Sequence, residues 1–303
     1  MAANQQVFRT SGRPEDALRD LLAVATAVAG IPYLAGKNAR LEPSAWALLA
    51  LSASSSPLSS ARPTAEFLTA AQRPDGWLAE GGGWPVNVAS NALVAFTWSV
   101  LPDLAPQPVR TRLLDALSAS RGIQAPNEPH AGQDNMLQGW PWTDGTFSWV
   151  EPTAWGVLAL KHARRRGWTA PGADARIDES ERLLLNRTCR SGGWNFGNAV
   201  VMNQDLRAYI PTTALALLAL QDRTAEPNVA RSIEFLETHW PDELSSTATG
   251  LALLCLHALG RPVDTLVQGL RRHSVDAPPA NFHGAAIALC ALSASSRTNV
   301  FKL

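Results

Sequence analysis

The sequence predicts an all-α chain, a single α/α toroid of about six helical hairpins spanning residues 1–303. Three observations carry this reading. An apolar motif about ten residues long recurs along the chain. Each copy follows a segment that is apolar on one side only. The segments between them are rich in Gly, Pro, Trp and Asn.

The clearest copies of the motif run from Glu42 to Leu51 and from Glu151 to Leu160, and share seven of ten residues. A third runs from Pro211 to Leu220, and weaker ones start near Ser90, Ser246 and His283. Each is apolar on nearly every side, which marks a helix surrounded by protein rather than a surface helix. Pro followed by Ser or Thr marks the helix starts: Pro supplies a helix-compatible φ, and the hydroxyl is expected to cap free N–H groups of the same helix. The preceding segments, near residues 15–29, 64–73, 109–120, 175–187, 228–239 and 263–273, place apolar residues at three- and four-residue spacing, as in Ile233, Leu236 and Trp240. Six one-sided helices alternating with six buried ones describe an inner ring covered by an outer ring, with small inner-helix residues allowing close approach. The Pro-rich stretches 101–108 and 277–280 read as linkers, and residues 1–13 as a flexible arm.

Composition narrows the function. The chain is 46% hydrophobic and only 17% charged, which supports a sizeable core and argues against disorder. Twenty-six basic residues balance twenty-six acidic ones, so there is no electrostatic footprint for nucleic acid. Cys189, Cys255 and Cys290 are few and widely spaced, which supports neither a disulfide framework nor a zinc knuckle. The polar start of the chain does not read as a secretory leader. The longest apolar stretch, Leu21 to Ala29, is short of the roughly 20 residues that span a bilayer. A cytoplasmic setting is expected.

Eleven Trp stand against two Tyr, and several follow Gly: Trp77, Trp84, Trp140 and Trp194. The element Gln72 to Trp77, the Gly-Gly-Trp at 192–194, and the helix starts Thr153-Ala154-Trp155 and Thr212-Thr213-Ala214 resemble the prenyltransferase and squalene-cyclase repeat. That resemblance covers essentially the whole chain. It implies the α/α toroid of class II terpene cyclases and protein prenyltransferase β subunits, and a hydrophobic, isoprenoid-type ligand. A class II cyclase would protonate its substrate with an Asp of an Asp-x-Asp-Asp motif. The sequence has no such motif and no Asp-Asp pair. Aligning Thr153-Ala154 with the family's Thr-Ala places Glu151 where the acid would stand. An acid of this kind has to be held neutral by burial, and Trp140, Trp142, Phe147 and Trp149 are close enough in sequence to steer a cation through their π faces.

Glu151 has a duplicate in Glu42, so a helix-start role at the positive end of the helix dipole competes with catalysis. Asp144, in an Asp-Gly turn, is the second candidate acid. Trp84, Asn87, Asn91, Asp205, Tyr209 and His283 are the remaining candidates for ligand contact; Asn87 and Asn91 read equally as caps. Trp77 and Trp194 are expected to staple outer helix ends. The run Lys161 to Arg166 suits a helix C-terminus, with an anionic contact as its alternative. A zinc site of the prenyltransferase kind would need about three protein ligands, and only His283 resembles one, so no metal and no cofactor are expected.

Three functions follow: a cyclase-like enzyme with Glu151 or Asp144 as acid; a non-catalytic toroid that binds a hydrophobic ligand or a partner protein; and a prenyltransferase-like subunit working with a second chain. Peripheral membrane contact and an oligomer are compatible with each.

Overall fold

A computed structural model describes residues 13–127, 132–243, 245–276 and 281–303. The expected arm lies almost wholly outside them, as does the 277–280 linker. The fold is all-α as the periodicity predicts, with twelve α-helices and one two-stranded sheet among the described residues. The chain's contacts group it into two compact units, residues 1–70 with 241–302, and residues 71–240 with Leu303.

The first unit holds α1 (Pro14–Thr26), α2 (Leu41–Ala53), α3 (Arg62–Ala70), α10 (Ser246–Ala258), α11 (Asp264–Asp276) and α12 (Phe282–Ala294). Its three all-round apolar helices pack side by side in the order α2, α12, α10, and the one-sided α1, α3 and α11 cover them. Gly250 allows α10 to meet α12 closely: a Cβ there would stand 2.8 Å from the Ile287 side chain. The second unit repeats the plan. Its buried helices α4 (Val88–Val100), α6 (Val150–Arg165) and α8 (Ile210–Ala219) lie side by side with α6 central. The covering helices are α5 (Gln107–Ala119), α7 (Ala173–Asn186) and α9 (Pro227–His239). A short hairpin, β1 (Val200–Val201) and β2 (Gln204–Asp205), precedes α8 and pairs antiparallel.

The hydroxyls at the helix starts do something other than expected. None of α2, α6 and α8 has a side-chain N-cap. Instead the Ser44, Thr153 and Thr213 hydroxyls reach back to a loop residue and accept its N–H: Ile31 at 2.8 Å, Trp140 at 3.0 Å and Trp194 at 2.9 Å. The same loop residues offer their carbonyls to the residue before each helix, to Arg40, Trp149 and Tyr209. Asn91 does this with an amide in α4: it accepts the Leu78 N–H at 2.8 Å and donates to the Leu78 carbonyl at 3.0 Å. The hydroxyl is spent on tertiary closure because an extended loop residue buried beside the helix would otherwise leave both backbone groups unpaired.

The Gly-Trp pairs follow from this closure. A Cβ at Gly139 would stand 2.2 Å from the Thr153 hydroxyl, and one at Gly193 2.6 Å from that of Thr213, so only glycine fits before the tryptophan. The indoles then staple the covering helices, Trp140 donating to the Leu117 carbonyl at 2.8 Å and Trp194 to that of Leu184 at 2.6 Å. Gln72, in the second unit, donates to the Val109 carbonyl of α5 at 2.8 Å.

One buried charge network sits at the far end of the second unit's core. Lys161, in α6, forms ion pairs with Glu181 and Asp222 and donates to the Ala219 carbonyl at 2.8 Å. Arg223 holds the other oxygen of Glu181 at 2.6 Å. Lys161 and Glu181 are both buried, so removing one leaves the other without its buried counter-charge and held only by a half-exposed partner, Asp222 or Arg223. Lys161→Met is expected to cost about 3 kcal/mol in urea denaturation. The double variant Lys161→Met/Glu181→Leu should recover most of that loss, because no unpaired buried charge remains.

Candidate functional site

The strongest candidate site in the second unit lies where the loops before α6 and α8 meet. The two loops are joined by backbone and side chain. Val150 donates its N–H to the Phe196 carbonyl at 2.9 Å, and Gln133 donates to the side-chain oxygen of Asn198 at 2.9 Å. Gly197 lies against the Trp149 ring, where a Cβ would come within 3.1 Å. Between the loops is an open groove of about 350 Å3. Its apolar lining includes Ile123, Leu137, Phe147 and Trp149, and its polar lining Gln133, Asn135, Ser148, Arg187 and Asn198.

This rim exposes side chains that ordinarily seek burial. Phe147 is 52% exposed, Trp149 37% and Phe196 53%, and Met136, Val201, Met202 and Leu206 are exposed on the same loops. Phe196 in turn lies against Tyr209, ring centroids 4.9 Å apart, and the Arg207 guanidinium stands 5.1 Å over the Tyr209 ring. Exposed apolar residues gathered on adjoining loops signal contact with a ligand or partner. The groove also contains a buried acceptor with no partner, Gln133 Oε1. Burial lowers the Arg187 pKa to about 10, against the opposing pull of Asp134, which leaves the guanidinium charged at neutral pH.

The predicted residues divide three ways. Phe147, Trp149 and Tyr209 come together on this rim. Glu151 is half-buried in the first turn of α6, two residues beyond Trp149. Asp205 is exposed on β2 and pairs with Arg190 at 3.3 Å. Asp144 is exposed on a second, wider groove of about 580 Å3, with Arg73, Asp75 and Trp77. Trp84 is exposed on the turn after Gly81–Gly83.

Other residues expected to line a pocket serve the scaffold. Trp140 is wholly buried, with the Arg176 guanidinium 3.7 Å over its ring, and has no surface to offer a ligand. Trp142 is half-buried, and its carbonyl accepts the Val88 N–H at 2.9 Å. Asn87 caps α4 by accepting the Ser90 N–H at 2.9 Å, and Asn91 is the buried loop closure described above. Phe196, Gln133 and Arg187 were not singled out from the sequence. Only the position of Phe196, two residues after the Gly-Gly-Trp, offered a signal.

His283 belongs to the first unit. Its Nε2 lies 3.0 Å from Glu42, which also accepts the Tyr33 hydroxyl. The imidazole is edge-on to Tyr33 and Trp46, centroids 5.7 and 6.4 Å away. The Phe282 N–H donates to the Tyr33 carbonyl at 3.0 Å. The cluster thus ties the loop before α2 to the start of α12. Among the described residues no group of three His, Cys, Asp or Glu could hold a metal. Burial pushes the Cys255 thiol far up and that of Cys290 up to about 12, which suits packing rather than nucleophilic chemistry. No helix among the described residues is long and apolar enough to cross a membrane.

No family model and no curated protein sequence matches the chain. Among solved structures it is similar to the native conformation of alpha-2-macroglobulin from E. coli, determined by electron cryo-microscopy. The TM-score is 0.50 at 14% identity, over 93% of this chain and 17% of that one. At that identity the likeness speaks for the helical fold alone. This chain corresponds to about a sixth of the larger protein's length.

The Glu42 cluster makes a sign-definite prediction. Burial raises the Glu42 pKa, but the His283 hydrogen bond and charge and the Tyr33 hydroxyl outweigh it, so the carboxyl is held below its ordinary value of 4.5. A lowered folded-state pKa gives stability that is present above the unfolded-state value and lost as pH falls through the folded-state value. In thermal denaturation, wild type should exceed Glu42→Gln in stability near neutral pH, and the gap should close on acidification below about pH 4.5.

Proposed function

We propose that the chain is a non-catalytic recognition module that holds an apolar ligand carrying a hydrogen-donating head group in the groove before α6. A prenyl alcohol has this chemistry. The observation that carries the reading is the exposed aromatic pair Phe147 and Trp149 over the groove. A volume of about 350 Å3 lies within the roughly 300–1,000 Å3 of small-molecule sites. An apolar chain laid against the two rings would remove them from water, and a ligand hydroxyl would satisfy the unpaired Gln133 oxygen. The isoprenoid class comes from the resemblance of the repeats to prenyltransferases and squalene cyclases.

A second reading, acid-initiated cyclisation, rests on Glu151 standing in the helical turn next to Trp149. The openness of the groove ranks it below recognition. Five polar side chains line it and water reaches it, whereas a carbocation needs a site that excludes water.

The test is titration of the purified chain with farnesol, read by tryptophan fluorescence and calorimetry, with mass spectrometry of solvent extracts for co-purified lipid. Phe147→Ala/Trp149→Ala should weaken binding by about tenfold to a hundredfold, from the lost apolar contact, with circular dichroism used to check that the variant is folded. Unchanged binding in that variant, or an empty extract together with no farnesol binding, would sink the proposal. Product formation abolished by Glu151→Gln but retained by Glu42→Gln would establish the enzyme instead.

A further inference from the structure

The second unit has another cavity at the opposite end of α6, about 24 Å along the 16-residue helix from the groove at 1.5 Å per residue. It measures about 150 Å3 and lies among the end of α4, the first turns of α5 and the turn after α6. Trp98, Arg110, Thr111, Arg166 and Trp168 are on its wall, and no Asp or Glu is.

Three atoms on that wall are buried N–H donors with no hydrogen-bond partner: Nε1 of Trp98, Nε1 of Trp168 and Nε of Arg110. Trp98 is 1% exposed, so its indole cannot turn to bulk water. Buried polar groups are ordinarily paired, and an orphaned donor costs more than a made bond returns. The three orphans belong to residues that line one space, and a ligand that only accepts would pair all of them. Two nearby carbonyls already accept backbone N–H groups. The Thr97 carbonyl takes the Leu101 N–H at 2.8 Å, and the Ala163 carbonyl takes the N–H groups of Arg166 and Trp168, both at 3.0 Å. The Ser99 hydroxyl donates to Ala95 at 2.8 Å. Two guanidinium groups on the wall add positive charge that offsets the negative ends of the α4 and α6 dipoles.

We infer that this cavity binds a small oxyanion, the phosphate or carboxylate group of a small molecule, between the two indole N–H groups and Arg110. An oxyanion suits it better than water. Water occupies about 30 Å3 and brings two hydrogens that would need acceptors of their own. An oxyanion brings several acceptor lone pairs and no donor, and its bonds to guanidinium are charge-assisted. The site shares no residue with the groove before α6 and stands or falls apart from it.

The experiment is a heteronuclear NMR titration of the full chain with 15N-labelled tryptophan. Indole signals are assigned by their absence in Trp98→Phe and Trp168→Phe. The titrants are inorganic phosphate and acetate, against potassium chloride at matched ionic strength. Both assigned indole signals should shift and saturate with phosphate or acetate. Arg110→Gln should weaken that binding by about tenfold or more. Saturation by phosphate alone identifies a phosphate site, and by acetate alone a carboxylate site. If neither anion moves these signals beyond the chloride control, or if Arg110→Gln binds as wild type does, the inference is wrong and the cavity holds water. Should Trp98→Phe fail to fold, the Trp168 signal and the Arg110 variant still decide.

Discussion

The architecture depends on a single polar closure used repeatedly: a short side chain near the start of a buried helix that pairs with the backbone of a loop residue thirteen or nineteen positions earlier. A helix apolar on all sides has little else with which to fix the chain that enters it. Ser44, Asn91, Thr153 and Thr213 provide that fixed point. Glycine is forced beside Thr153 and Thr213, and the neighbouring tryptophans are placed where their indoles reach the covering helices. Each such bond contributes only about 1 kcal/mol net, but leaving a buried loop residue with both backbone groups unpaired would cost considerably more. The closure therefore decides where each loop begins, and with it which side chains the loop can present.

The alternation of helices was plain in the sequence because both periodicities are strong. All-round apolar runs and one-sided runs can each be read without knowing what they touch, and all twelve appear in order. The roles of individual tryptophans were not legible. Trp140 and Trp149 both lie near Glu151 in sequence and both look aromatic-rich in context. One is enclosed by α5 and Arg176 and the other stands over an open groove, a difference set by partners that are distant in sequence. Phe147 and Trp149 stood out because they lie close to Glu151, and Tyr209 because it precedes a buried helix; that all three share one rim was visible only in the structure. Gln133 escaped notice because it lies outside the repeat, and Arg187 because a charge at the end of a one-sided segment is ordinary. The hydroxyl at the helix start was read as a cap because capping is a local interaction, whereas its real partner lies outside the window in which local rules operate.

The duplicated Glu-Pro element shows how one motif takes two settings. In the first unit Glu42 is committed to Tyr33 and His283, which knot a loop to the start of α12. In the second unit Glu151 lies in the first turn of α6, two residues after Trp149, whose ring is on an exposed aromatic rim. Similar helix starts thus serve cohesion in one place and follow an exposed aromatic rim in the other. The difference arises from the residues around them rather than from the element itself.

The spacing of the closures has a consequence for how such a chain changes over time. Thirteen residues separate the paired positions in three cases, but nineteen do so before α8, where the extra length forms the β1–β2 hairpin. The helix behind that longer loop starts with the same hydroxyl closure as α2 and α6. Because loop closure becomes only slowly more costly with length, segments between the two anchor points can lengthen, shorten or be exchanged while the helical core stays as it is. The surface that meets the outside world is then the part of the molecule least constrained by its folding, and a change in what the loops present needs no change of scaffold.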